Sequence, residues 1–159
     1  MSMMKFSDIP YTRPDYDQVK QQYELLIRQL REASDKDSFM EVFRQIDRLK
    51  SGLMTQSTIC SIRHSVNTKD EFYDREQEYW DEYWPLYSVL DNEVAKICVY
   101  CPFREALYDQ IPEPFFRMAE CALKSFDEKI VGLLQEENKL SSEYGKLKAS
   151  AQIPFNGQI

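Results

Sequence analysis

The only histidine of the chain, His64, lies one helical turn after Cys60. A cysteine and a histidine at this spacing are a candidate nucleophile and base. A cysteine nucleophile needs a thiolate, a base and an oxyanion site, and the N-terminal end of a helix favours the thiolate. Here the pair lies in the middle or near the C-terminal end of a predicted helix, where the dipole opposes a thiolate. The pattern therefore favours a core cysteine and a polar helix-end histidine over a catalytic dyad.

Cys98 and Cys101, in CVYC, have the spacing of zinc and redox motifs. A zinc site needs further ligands at suitable spacing, but the other cysteines, Cys60 and Cys121, are single. In a redox motif the first cysteine begins a helix, whereas Cys98 ends a helical pattern. We therefore predict reduced core thiols, and a thiol-based metal or redox module stays an alternative that stoichiometric zinc would support.

A run of acidic and aromatic residues follows the histidine. Between Asp70 and Glu93 nine acids accompany one base, Arg75. Glu78 and Glu82 are one turn apart, but a carboxylate metal site in a bundle also needs a Glu-x-x-His motif, which the chain lacks. The run predicts a solvated acidic face over an aromatic core, and its functional alternative is a negative surface for cationic peptides or a basic partner. The aromatic residues of the run are Phe72, Tyr73, Tyr79, Trp80, Tyr83, Trp84 and Tyr87.

Composition excludes several classes of protein. The formal net charge is −7 and no basic patch is evident, so we expect neither nucleic acid nor an anionic membrane as a partner. No apolar run is long enough to cross a bilayer, and the N-terminus lacks a signal-peptide pattern. We therefore predict a cytoplasmic protein with reduced cysteines. A single histidine cannot supply an H-E-x-x-H zinc motif, so we predict no catalytic residue and no metal ligand in this chain.

Helical periodicity and only four glycines predict an all-α fold of long antiparallel helices. We assign residues 1–150 to an N-terminal helical domain, whose last helix keeps its apolar positions on one face. In residues 151–159 the sequence AQIPFNGQI alternates, and Asn156-Gly157 favours a two-residue turn. Because the chain stops two residues beyond that turn, we expect a truncated β-hairpin that leads into a missing part.

A corner between two helices surrounds the histidine. In TKDE we expect a capping box, in which the Thr68 hydroxyl accepts from the Glu71 amide. Further along, Pro85 is expected to kink or interrupt the helix. We expect the corner to have a structural role, satisfying polar groups around the turn, and its residues are Arg63, Asn67, Thr68 and Asp70.

Three strings, spread in order over nearly the whole chain, carry a family resemblance. They are MKFSDIPYTRPDYDQVKQQYELLI, SIRHSVNTKDEFYDREQEYWDEYWP and LQEENKLSSEYGKLKASAQIPFNG. Together they resemble the N-terminal region of oligoendopeptidase F-type enzymes, in the thimet-oligopeptidase-like class of zinc metallopeptidases. None of that family's zinc or catalytic positions map onto this chain.

The resemblance implies a cytosolic, almost all-helical enzyme that hydrolyses short peptides with a zinc site in its C-terminal half. This chain would form one wall of the substrate cleft, with its substrate-binding residues unassigned. Its expected partners are the missing C-terminal catalytic part of the same polypeptide and, in the parent enzyme, short peptides. An exposed apolar patch would favour a homodimer of the fragment. The alternative from another class is a stand-alone acidic helical interaction module.

Overall fold

Five α-helices, with three short 3-10 turns before or between them, make up most of the chain. The structure is a computed structural model that describes residues 5–152. The 3-10 turns span Phe6–Asp8, Arg104–Leu107 and Glu128–Ile130. The helices are α1 (Tyr16–Glu32), α2 (Lys36–Val66), α3 (Glu71–Tyr100), α4 (Glu113–Ser125) and α5 (Val131–Ser150).

Aspartate side chains begin the three helices that form the bundle's centre. Asp15 accepts from the Gln18 amide at the start of α1, and Asp35 accepts from two amides at the start of α2. A carboxylate in this position satisfies free N–H groups and interacts favourably with the helix dipole. At α3 the cap is Asp70, so the predicted capping box at Thr68 is wrong: the Asp70 carboxylate reaches two first-turn amides at 3.0 and 3.2 Å.

The hydrophobic core lies where α1, α2 and α3 pack together, with α4 closing it against α3. The two longest helices contribute a thiol each, and Cys60 and Cys98 are fully buried as the sequence predicts. Aromatic rings fill much of the space between the helices, often in edge-to-face pairs. The largest side chains that are fully buried are Tyr23, Phe39, Phe116, Leu30 and Leu107.

Pro85 does not interrupt α3, which is continuous from Glu71 to Tyr100. A proline inside a helix leaves the carbonyl four residues earlier, that of Asp81, without its helical N–H donor. The Asn138 side chain of α5 donates to this carbonyl at 3.2 Å, and the Gln135 side chain donates to the Glu82 carbonyl at 2.7 Å. The Asp81 carbonyl, which Pro85 leaves without a helical donor, and the neighbouring Glu82 carbonyl thus become the attachment point of α5.

The structure confirms the all-α class, but the predicted β-hairpin is wrong. No strand occurs in residues 5–152, and α5 remains helical to Ser150. Ala151 and Gln152, where the hairpin was expected to begin, follow the helix as coil, and the turn at Asn156-Gly157 lies outside the described residues. Alternation over a few residues is a local signal, whereas a strand needs a partner edge, and the described helices offer none. Within the same residues no helix is long and apolar enough to span a bilayer.

The attachment at Pro85 predicts an energetic coupling between α3 and α5. Asn138→Ala should lower the free energy of unfolding by about 1 kcal/mol, because the Asp81 carbonyl loses its donor. In a Pro85→Ala background the same change should cost less than half as much, since the new backbone N–H can donate to that carbonyl. Urea denaturation of the double-mutant cycle measures the coupling. Lys139→Ala, an exposed neighbour on α5, is the control, and an equal cost of Asn138→Ala in both backgrounds would contradict this account.

Candidate functional site

Arg63 of the predicted corner joins α2, α3 and the N-terminal segment. Its guanidinium donates to the backbone carbonyls of Phe6 (3.3 Å), Ser7 (3.2 Å) and Ile9 (2.6 Å), and to the Tyr73 hydroxyl at 2.5 Å. The same group lies over two rings, 5.6 Å from the centroid of Phe6 and 5.4 Å from that of Tyr73. These contacts are made to backbone carbonyls and aromatic side chains of the chain itself. The structural role of Arg63 remains a prediction that stability measurements test.

The other corner residues lie in the turn between α2 and α3. The Asn67 amide donates to the Arg63 carbonyl at 3.2 Å, and the Asn67 side chain accepts from the Lys69 amide at 3.2 Å. The Asp70 amide donates to the Asn67 carbonyl at 3.1 Å, and its carboxylate caps α3. Thr68 is half-buried and lines a polar groove beneath α5. Asn67, Thr68 and Asp70 therefore share the turn that follows Arg63 at the end of α2, and Thr68 carries none of its hydrogen bonds.

A buried carboxylate, Glu76, is the polar centre that sequence reasoning missed. Its oxygens accept from the Tyr11 hydroxyl at 2.7 Å and from the Arg13 guanidinium at 2.8 and 2.6 Å. Trp80 in turn donates to the Tyr11 oxygen at 3.1 Å. Burial raises the pKa of Glu76, but the hydrogen bonds from Arg13 and Tyr11 outweigh it, so the net pKa lies below its ordinary value. The partners are 63 and 65 residues apart in sequence, so no local pattern indicated the cluster.

Three of the cysteines, Cys60, Cys98 and Cys101, are not activated as nucleophiles. Burial, with the nearby Glu76 charge adding to it, raises the pKa of Cys60 to about 12. Burial raises the pKa of Cys98 to about 12 and that of Cys101 above its usual range. At neutral pH these thiols are protonated, and a thiolate is the form that attacks a substrate or binds zinc. In the described part of the chain no three or more His, Cys, Asp or Glu residues are grouped so that they could hold a metal ion.

His64 belongs to a polar seam beneath α5, not to a dyad with Cys60. It is buried, and its Nε2 lies 3.3 Å from Asp74 Oδ1 without hydrogen-bond geometry. Asp74 also forms an ion pair with Lys146 of α5. Contact with the Lys146 ammonium lowers the pKa of the Asp74 carboxyl and outweighs the opposing effect of burial. The seam is a groove of about 380 Å³ between α2, α3 and α5.

Glu78 and Glu82 line an open groove of about 600 Å³ between the start of α1 and α3. The groove has an excess of acids, because Asp15 and Asp17 of α1 also line it, and tyrosines lie beside them. Below it, Tyr79, Trp80 and Tyr87 are buried in the core. The predicted solvated acidic face over an aromatic core is therefore present only in part, because Glu76 and Asp81 of the same acidic run are buried. The groove lining is Arg13, Pro14, Asp15, Tyr16, Asp17, Arg75, Glu78, Tyr79, Glu82 and Tyr83.

The α5 helix packs on the domain with its polar side and exposes an apolar side, whereas a surface helix ordinarily buries its apolar side. Its polar side meets α3: the Ser142 hydroxyl donates to the buried Asp81 carboxylate at 2.6 Å, alongside the Asn138, Gln135 and Lys146 contacts. Four of its large apolar side chains point to solvent, Leu134 is half-buried, and no α5 residue is fully buried. The sequence predicted one apolar face on this helix, but the pattern alone could not say that this face would be exposed. The exposed side chains are Leu133, Leu140, Tyr144 and Leu147, each 64–69% exposed.

Comparison with known proteins identifies the family. Residues 6–126 match the family model described as the Peptidase M3 N-terminal domain, so the chain belongs to the Peptidase M3 family and contains that domain. The match ends at Phe126, one element before α5. No curated protein matches the chain.

Solved structures agree with this assignment. A structure described as an oligoendopeptidase F from Bacillus anthracis str. Ames is 34% identical and covers 99% of the chain with a TM-score of 0.92. A second oligoendopeptidase F structure is 38% identical over 98% of the chain, with a TM-score of 0.94. PZ peptidase A, solved with an inhibitor, is 38% identical over 97% of the chain, with a TM-score of 0.93. The chain spans only 27–29% of the length of these proteins.

The contacts of Arg63 predict a large stability effect. Arg63→Ala should lower the free energy of unfolding by about 2 kcal/mol and lower Tm, because the carbonyls of the N-terminal segment lose a charged donor. Thermal and urea unfolding measure both quantities. Arg28→Ala, at an exposed arginine of α1, is the matched control and should change little. If the Arg63→Ala variant were as stable as the wild type, the predicted structural role of Arg63 would be refuted.

The depressed pKa of Glu76 predicts a pH dependence. A carboxyl with a lowered pKa in the folded state stabilises the fold above its unfolded pKa, and that stabilisation is lost as pH falls through the folded pKa. Glu76→Gln should therefore destabilise the protein most near neutral pH and least at about pH 3, below the ordinary glutamate pKa. Urea unfolding at several pH values tests this, with the exposed Glu41→Gln as control. A cost that does not vary with pH would contradict the assignment.

Proposed function

We propose that this chain is the N-terminal, non-catalytic helical part of a zinc-dependent oligopeptidase of the oligoendopeptidase F type, which hydrolyses short peptides. The observation that carries the proposal is the alignment of 97–99% of the chain with structures described as oligoendopeptidase F and PZ peptidase A. Membership of the Peptidase M3 family supports it. The remaining length of those proteins would supply the catalytic part.

The residues described here do not fit a catalytic zinc centre. Residues 5–152 bring no three potential ligands together, and the only histidine, His64, lies in the seam between helices beside Asp74. Zinc binding and activation of water are therefore assigned to the C-terminal catalytic part. No catalytic step is assigned to a residue of this chain.

In the complete enzyme this chain would form one wall of the substrate cleft. The long helices α2 and α3 provide a rigid surface, because buried aromatic packing and the Arg63 and Glu76 contacts hold them and the N-terminal segment together. A rigid wall can exclude folded proteins while it admits short peptides. We also propose a cytosolic location, which the buried free thiols of Cys60 and Cys98 support, because disulfides are rare in the cytosol.

A second candidate function is that of an acidic helical interaction module. The groove lined by Glu78 and Glu82 favours it, because its excess of carboxylates would attract a cationic peptide or a basic protein surface. Binding of a basic peptide by the 159-residue chain alone, lost in Glu78→Gln/Glu82→Gln, would support this function.

Peptide hydrolysis provides the test of the main proposal. The complete polypeptide that contains this chain should cleave a short internally quenched peptide, lose activity when a chelator removes zinc, and recover when zinc is restored. The 159-residue chain alone should be inactive. A complete polypeptide without an H-E-x-x-H helix, or without zinc-dependent cleavage, would refute the proposal.

A further inference from the structure

We propose that the exposed apolar face of α5 is the surface through which this chain packs against the C-terminal catalytic part of the same polypeptide. This inference rests on the proposed function, since it requires such a part to exist. The surface, called the α5 stripe below, consists of Leu133, Leu140, Tyr144 and Leu147.

The α5 stripe is continuous along one side of the helix. Its residues are separated by seven, four and three positions, which places them on one face over about 21 Å at 1.5 Å per residue. A shallow groove of about 410 Å³ runs along the stripe beside Leu133, Leu140 and Tyr144. A surface helix of a soluble domain ordinarily turns such a face toward its own core, so this face is expected to be covered by another surface.

The helix cannot rotate to bury the stripe against this chain. Contacts on the opposite side fix its orientation: Gln135 and Asn138 donate to the carbonyls at the Pro85 site, Ser142 donates to Asp81, and Lys146 pairs with Asp74. Rotation would break all of these contacts and leave the buried Asp81 carboxylate with Gln77 of α3 as its remaining donor. The outward direction of the stripe is therefore part of the native fold.

The position of α5 in the chain indicates what covers the stripe. The match to the Peptidase M3 N-terminal domain ends at Phe126, so α5 follows the matched residues in the sequence. The element is also the last helix described, and the chain spans only 27–29% of the similar enzymes. In sequence, α5 therefore lies between the matched domain and the remaining polypeptide of the similar proteins; its polar side packs on α3, and the stripe is free for the catalytic part.

Substitution within the stripe tests the inference in two settings. In the complete polypeptide, Leu140→Glu should reduce peptide turnover about tenfold or more and lower Tm by about 5 °C, with bound zinc retained, because a charge is placed in a buried interface. In the 159-residue chain alone the same substitution should leave Tm unchanged, because Leu140 is exposed there. Met118→Glu, at an exposed methionine of α4, is the matched control and should be neutral in both settings.

The outcomes separate this inference from the proposed function. The complete polypeptide could be active and zinc-dependent while Leu140→Glu changes neither its turnover nor its Tm. That result would overturn the inference and leave the proposed function standing. A complete polypeptide that dimerises through the stripe, and that Leu140→Glu converts to an active monomer, would also overturn it, because a second copy would then be the occupant. A Tm that Leu140→Glu lowers in the complete polypeptide, but leaves unchanged in the 159-residue chain, supports the inference.

Discussion

A missing hydrogen-bond donor in the middle of α3 determines how the last helix is held. Pro85 has no N–H, so the Asp81 carbonyl needs a donor from elsewhere, and Asn138 of α5 supplies it at 3.2 Å. The Gln135 side chain, also on α5, donates to the next carbonyl of α3, that of Glu82. Because these donors lie on the polar side of α5, satisfying the backbone of α3 places the apolar side of α5 in solvent. One proline thus links the continuity of α3 to the surface that the domain presents.

A second set of contacts holds the start of the chain onto the α2–α3 pair. Glu76 binds Tyr11 and Arg13, and Arg63 binds three carbonyls of the N-terminal segment. The free-energy cost of leaving a buried carboxylate or carbonyl without a partner is larger than the net stabilisation from one hydrogen bond. Because several such groups share the same donors, these contacts stabilise the fold together. The N-terminal segment, which lacks long helical structure of its own, is consequently held firmly against α2 and α3.

Local sequence signals predicted the helices well and the contacts between them poorly. Helical periodicity of the apolar residues predicted the all-α class and its long helices correctly, because this periodicity depends on neighbours within a few residues. The partners of Glu76 could not be predicted, since they lie 63 and 65 residues away. The hairpin was wrong because short alternation does not supply a partner strand. The cap at Asp70 was missed because a carboxylate two residues after Thr68 competes for the same amides.

Side-chain exposure along α5 tests the central claim most directly. Hydroxyl-radical footprinting would compare oxidation of Tyr144 in the 159-residue chain and in the complete polypeptide, with Tyr100, exposed at the end of α3, as the internal reference. The account predicts rapid oxidation of Tyr144 in the monomeric chain and strong protection in the complete polypeptide, while Tyr100 reacts readily in the chain. Protection of Tyr144 in the monomeric chain, or equal reactivity of Tyr144 in both proteins, would contradict it.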